Sequence, residues 1–255
     1  HFKRSQKTTD LIWFGANLNL AYTDQSGPQS GAMYANPMRT GSYLPPVIPV
    51  KNSDGTYNSS FAYNILGSYN PVAIMEEADF STVSHRSINT VWGQINLSDD
   101  LYLKSTFGYD VRHTDEGRWY PPSIASGIAN NGIKYQFFST RNRITSSTLL
   151  NYTKTFNEIH NLLLLAGWEA TSTRTKYFGG ESANYQTGYT PAIDAGSVIK
   201  SLSGHETTDA LLSAFGKAEY NYMNKYYAAF SLRRDGSSRF SQEARWGNFW
   251  SISGA

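Results

Sequence analysis

The run Leu232–Phe240, LRRDGSSRF, brings Arg233, Arg234, Asp235 and Arg239 close together. Guanidinium groups present planar forks that bind carboxylate, sulfate or phosphate in bidentate fashion, and a nearby carboxylate locks them into an ion-pair network. Asp235-Gly236-Ser237-Ser238 is turn chemistry. Other reactive groupings are sparse. His1, His85, His113, His160 and His205 fall in no metal-ligand spacing, and cysteine is absent. No nucleophile elbow, phosphate loop or dinucleotide fingerprint occurs. NSDGTY (52–57) lacks the acidic ladder of a calcium loop and reads as a plain turn. These observations predict a protein that is not an enzyme, with no metal and no cofactor.

Aromatic side chains are the second candidate chemistry. Tyr43, Tyr57, Tyr63, Trp119, Tyr120, Tyr185 and Tyr189 lie between patterned segments, where they would contact substrate from loops. Their faces suit stacking on sugar rings or packing on peptide side chains, or else pack the loops against one another. Prolines in LPPVIPV (44–50) and YPPS (120–123) stiffen the same regions.

The elements that carry these residues show period-two alternation, with little helical periodicity. In 101–113, Leu101, Leu103, Phe107, Tyr109 and Val111 share a face opposite Lys104, Thr106, Asp110 and Arg112. In 211–222, Leu212, Ala214, Gly216 and Ala218 oppose Ser213, Lys217 and Glu219. In 226–235, Ala228, Phe230 and Leu232 oppose Ser231, Arg233 and Asp235. Segments 10–22, 161–174, 85–97, 136–156 and 248–255 complete about eight strands. Their connections alternate between short (98–100, 157–160, 223–225) and long (23–84, 117–135, 179–206, 236–247).

Composition narrows the class. With 22 basic and 20 acidic residues, no nucleic-acid partner is expected. Aromatics reach 15% while charged residues supply only 16%, a balance that suits β-structure. No apolar run approaches the length of a transmembrane helix, which needs about 18 residues. The long-short rhythm suits an antiparallel transmembrane β-barrel, with short periplasmic turns and long extracellular loops. A soluble β-sandwich also alternates, but rarely keeps every second loop long.

On the barrel reading, Leu103, Phe107, Leu212, Ala214, Phe230 and Leu232 face lipid. Trp13, Tyr22, Tyr152, Phe156, Tyr177, Tyr220, Tyr222, Tyr226 and Tyr227 gather towards strand ends as interfacial girdles. Arg233, Asp235 and Arg239 form a rim charge network on the lumenal side. Arg234 falls on the lipid side, where it meets head-group phosphates of outer-membrane lipid or lipopolysaccharide near the interface.

Segment 211–254 resembles the late-barrel signature of the SusC/RagA family of TonB-dependent outer-membrane transporters. The matching residues are Phe215-Gly216 with Tyr220 and Tyr222, Lys225-Tyr226, the block Arg233–Ser238 with Phe240, Arg245-Trp246-Gly247 with Phe249, and Ser251 with Ser253. Fainter echoes run through 54–57, 69–72, 101–110 and 150–169. Trp250 stands where that family usually has proline, which would alter how a strand begins.

The resemblance implies that residues 1–255 are part of a receptor β-barrel of roughly 22 strands. Plug domain, TonB box and C-terminal strands would lie outside this sequence. It further implies a multi-pass protein in the outer membrane of a Gram-negative bacterium, importing oligosaccharides or peptides. TonB would supply the energy and a SusD-like surface lipoprotein would be the partner. The competing readings are a soluble, aromatic-rich carbohydrate-binding β-sandwich module and a barrel-embedded hydrolase.

Overall fold

Nine strands lie side by side in chain order, each antiparallel to its neighbours, in a computed structural model that describes residues 2–7, 11–27, 36–58, 69–186 and 192–255. They are β1 (Phe2–Lys7), β2 (Ile12–Ser26), β3 (Asp79–Asn96), β4 (Leu101–Tyr120), β5 (Ile133–Phe156), β6 (His160–Ala183), β7 (Val198–Tyr222), β8 (Tyr226–Ser237) and β9 (Trp246–Gly254). Three short helices, α1 (Pro37–Tyr43), α2 (Pro71–Glu77) and α3 (Ala125–Asn130), sit in the long connections.

The alternating pattern predicts the strands but underestimates their length. β7 starts at Val198 rather than 211, and β3 at Asp79 rather than 85. The added stretch, VIKSLSGHETTDA, has no apolar face, so alternation gives no signal there. What holds it is the backbone ladder to β6, continuous but for one register shift between Glu181 and Ser182. β1 was missed for the same reason, since FKRSQK has no apolar face. The expected loops at 117–135 and 179–206 are therefore partly strand.

Short connections form tight turns. Asn157 and Glu158 both take positive φ (49° and 62°), and the Ile159 N–H donates to the Phe156 carbonyl at 3.3 Å. Met223 and Asn224 repeat this at 55° each, closed by Lys225 N–H to the Tyr222 carbonyl at 3.0 Å. Two positive φ values in succession match the right-handed twist of the flanking strands.

The register decides what faces what. Ile12 pairs with Ile95, Ile95 with Leu103, Leu103 with Leu150, and Leu150 with Ala166. Ala166 then pairs with Gly216, Gly216 with Leu232, and Leu232 with Trp250. One apolar row thus crosses eight strands on one face of the sheet. Phe107, Leu212, Ala214 and Phe230 lie on the same face, and nothing covers Phe230 or Leu232, which stay about half exposed. No second sheet packs on this face among the described residues, so the sandwich alternative does not hold. Trp250 lies within β9, not at its start, and is 69% exposed on the apolar face.

The one buried cluster among the described residues sits at the far end of the strands from the tight turns. Ala73 and Ile74 of α2 and Ile124 pack on Phe80, Tyr120, Ile133 and Ala183. Asn70 caps α2, its side-chain oxygen accepting from the Val72 and Ala73 N–H groups, with Pro71 at the first turn. NSDGTY forms a plain turn: Gly55 takes φ 85°, and Asp54 accepts from the Thr56 N–H at 2.9 Å.

Candidate functional site: the polar face of the wall

The face opposite the apolar row carries the charge. Arg86, Arg112 and Arg141 pair in direct succession across β3, β4 and β5, with Thr175 next on β6. Asp110 sits one same-face position along β4 from Arg112, opposite Arg143. Arg86 grips it with both arms, Nε to Oδ1 at 2.9 Å and Nη2 to Oδ2 at 2.7 Å. This is the bidentate geometry that suits Arg to carboxylates.

An aromatic strip follows outward on the same face. Tyr135 and Phe137 stack with centroids 6.3 Å apart, Phe137 and Tyr177 at 5.8 Å, and Tyr177 and His205 at 5.0 Å. Tyr120 meets Tyr135 edge-on at 5.9 Å, and Phe80 at 5.1 Å. Arg118 lies over Phe137 at 5.6 Å while binding Glu116. Tyr135, Phe137 and His205 escape sequence reasoning, because separate strands contribute them and only the register aligns them.

Tyr177 belongs to this strip, and Trp13 and Tyr227 also fall on the polar face, so these three leave the expected girdles. The other residues of that group lie on the apolar face, where His160 packs on Tyr222 at 5.0 Å and contacts the Tyr220 hydroxyl at 2.6 Å.

The loop aromatics divide. Tyr43 ends α1 and is exposed. Tyr57 donates its hydroxyl to Glu76, and this bond holds the phenol up to about 12. Trp119 and Tyr120 are the last residues of β4 rather than loop residues. Trp119 packs edge-on against Tyr185 at 4.7 Å. Tyr120 is 8% exposed and Tyr185 4%, with the Tyr185 hydroxyl 2.6 Å from Ser182 Oγ. Burial raises the Tyr185 phenol above its ordinary value. These two rings pack the wall to its loops. Tyr63 and Tyr189 lie outside the described residues.

The rim run Arg233–Arg239 splits between faces. Arg233 binds Asp235 at 2.7 and 3.0 Å and donates to Ser213 Oγ at 3.0 Å. Arg239 reaches Asp209 at 3.0 Å instead of Asp235. Arg234 lies on the apolar face over Trp246, 5.1 Å from its ring.

An apolar face of this breadth beside a polar face is the pattern of a barrel wall. Comparison supports it. TonB-dependent receptor P3 of Formosa agariphila is 30% identical over 218 residues, covering 80% of this chain and 20% of its own length. SusC of Bacteroides thetaiotaomicron is 41% identical over 54 residues, 21% of this chain and 5% of SusC. The chain belongs to the TonB-dependent receptors. Its wall matches the structure of the RagAB peptide transporter with a TM-score of 0.78 and 21% identity, over 98% of this chain and 29% of that one. That likeness is one of fold. No family-wide sequence profile matches the chain. The chain spans about a fifth of the length of the curated receptors it matches, 20% and 23% for the first two.

One face of this wall is therefore apolar and the other carries the arginine row. No helix among the described residues is long and apolar enough to cross a membrane, which says nothing of a barrel that crosses with strands.

Proposed function

We propose that the receptor containing this wall imports oligosaccharides or peptides across the outer membrane through a plugged barrel energised by TonB. A SusD-like lipoprotein at the surface captures the cargo. The wall itself makes and breaks no bonds. Residues 1–255 supply part of the barrel, and the plug, the TonB box and the closing strands come from elsewhere in the receptor. Among the described residues β1 and β9 each pair on one side only, and a barrel in lipid has no open edge.

The observation that carries this reading is the two-sided wall: an apolar row across eight strands, backed by arginines and stacked rings. In the lumen, Tyr43 and Tyr57 join the Tyr135–Tyr177 strip as cargo contacts, whereas Trp119 has the register of Phe107 on the apolar face and packs on Tyr185; Arg234 meets lipid phosphates at the outer interface. The test is growth on candidate oligosaccharides or peptides as sole carbon source. Deleting the receptor, or uncoupling TonB, should abolish growth on one such nutrient, and a surface lipoprotein should co-purify. Unchanged growth on every candidate would refute the proposal.

A further inference from the structure

Among the described residues, Arg112, Arg141 and Arg143 of the polar face have no carboxylate of their own. Arg86, Arg112 and Arg141 stand directly opposite one another on three adjacent strands, and Arg143 is the next lumenal residue on β5. Strands lie about 4.8 Å apart, and like charges placed opposite one another repel. One carboxylate enters the group, Asp110, and Arg86 holds both its oxygens.

The neighbouring lumenal carboxylates are taken as well. Glu116 is bound by Arg118, and Asp209 by Arg239. Glu169 lies two lumenal positions inward from Thr173 on β6, away from the group. Among the described residues, Arg112, Arg141 and Arg143 make no ion pair, and Arg112 has only a long bond to Ser84 Oγ at 3.4 Å. All three are exposed. Thr173 and Thr175 of β6 stand opposite Arg143 and Arg141. Phe137 and Tyr177 lie just outward.

We propose that Arg112, Arg141 and Arg143 form a lumenal seat for an oxyanion carried by the cargo, a carboxylate or a sulfate. An anion relieves the repulsion along the row, and each guanidinium fork can meet two of its oxygens. The aromatic strip flanks the seat, so a ring attached to the anion has a face to stack on. The proposal rests on the import reading and narrows its cargo to acidic molecules.

The test uses the full receptor in detergent, where binding needs no energy coupling. The probes are sucrose octasulfate against sucrose, and tricarballylate against glycerol, measured by calorimetry at low salt. Sulfate-bearing or carboxylate-bearing probes should bind at least about ten-fold tighter than their neutral counterparts, with the stronger pair naming the preferred oxyanion. The variant Arg112→Gln/Arg141→Gln/Arg143→Gln should lose that preference. The charge-matched control Lys51→Gln/Lys200→Gln/Lys225→Gln should keep it. High salt should weaken it by screening.

Equal binding of charged and neutral probes overturns the proposal, as does a preference that survives the triple arginine change. So does a thermal midpoint that falls sharply in the arginine variant without acidic preference in the parent, the result expected if an acidic segment of the receptor occupies the seat. Failure of TonB-dependent uptake with intact anion binding would instead count against the import reading.

Discussion

Arg233 and Arg234 are adjacent in sequence and point to opposite sides of the barrel wall. Arg233 lies on the polar face, where it pairs with Asp235 and donates to Ser213, which is fully buried. Arg234 lies on the apolar face, over the Trp246 ring. Strand alternation alone produces this split, and it gives the two residues unequal roles.

Arg233→Ala leaves the buried Ser213 hydroxyl without its partner, a loss of about 1–3 kcal/mol. Arg234→Ala removes an exposed cation–π contact of about 0.5–1 kcal/mol. Denaturant unfolding of the receptor in vesicles should rank them in that order. The reverse order would mean the rim is held from the lipid side.

Arginine at Leu103, Phe107, Ala214 or Phe230 should block assembly, because each lies on the apolar face. At the bilayer midplane the cost is about 2–4 kcal/mol. Arginine at the polar-face positions Thr106 and Ser231 should be accepted. Heat-modifiable migration on gels separates folded from unfolded barrels, and normal folding of all four apolar-face variants would reverse the assignment of faces.

Gly127 gives a sharper packing test. A methyl group there would collide with the backbone carbonyls of Tyr120 and Pro121, pushing α3 off the strand end and disturbing Ile124 in the outer cluster. Gly127→Ala should cost about 1–3 kcal/mol, as overpacking does, and should speed proteolysis within 121–132. Gly93→Ala meets nothing within 4 Å and should behave as the parent does.

Tyr57 supplies a pH prediction. Its phenol is raised to about 12 by the bond to Glu76, from an unfolded value near 10.0. A raised acid of this kind favours the folded loop fully below pH 10 or so, and the benefit disappears as pH climbs through about 12. Difference absorbance of tyrosinate should therefore show a late-titrating phenol that Tyr57→Phe removes. If the late step persists in that variant, another phenol is its source and the assignment to Tyr57 fails.

Much of the fold was legible because lipid imposes a strict period of two. Leu103, Phe107, Ala214 and Phe230 declared their face before any register was known. The tight turns at Asn157-Glu158 and Met223-Asn224 were visible as gaps between alternating runs. Where both faces of a strand are polar, as in 198–210, the period carries no information, and backbone pairing to β6 alone reveals the strand.

By itself, then, the sequence determined the class of the protein: a two-faced antiparallel wall with short turns at one end and long connections at the other. Side-chain hydrophobicity and turn chemistry are local properties, so they can be read along the chain. Only the tertiary structure decided the neighbours. Arg86, Arg112 and Arg141 are separated by 26 and 29 positions, and nothing local announces that two ladders set them in one row. The same holds for Phe137 with Tyr177, and for Arg239 finding Asp209 instead of Asp235. Register is a long-range quantity, fixed by turn lengths and by one buried face, and the polar-face site exists only through it.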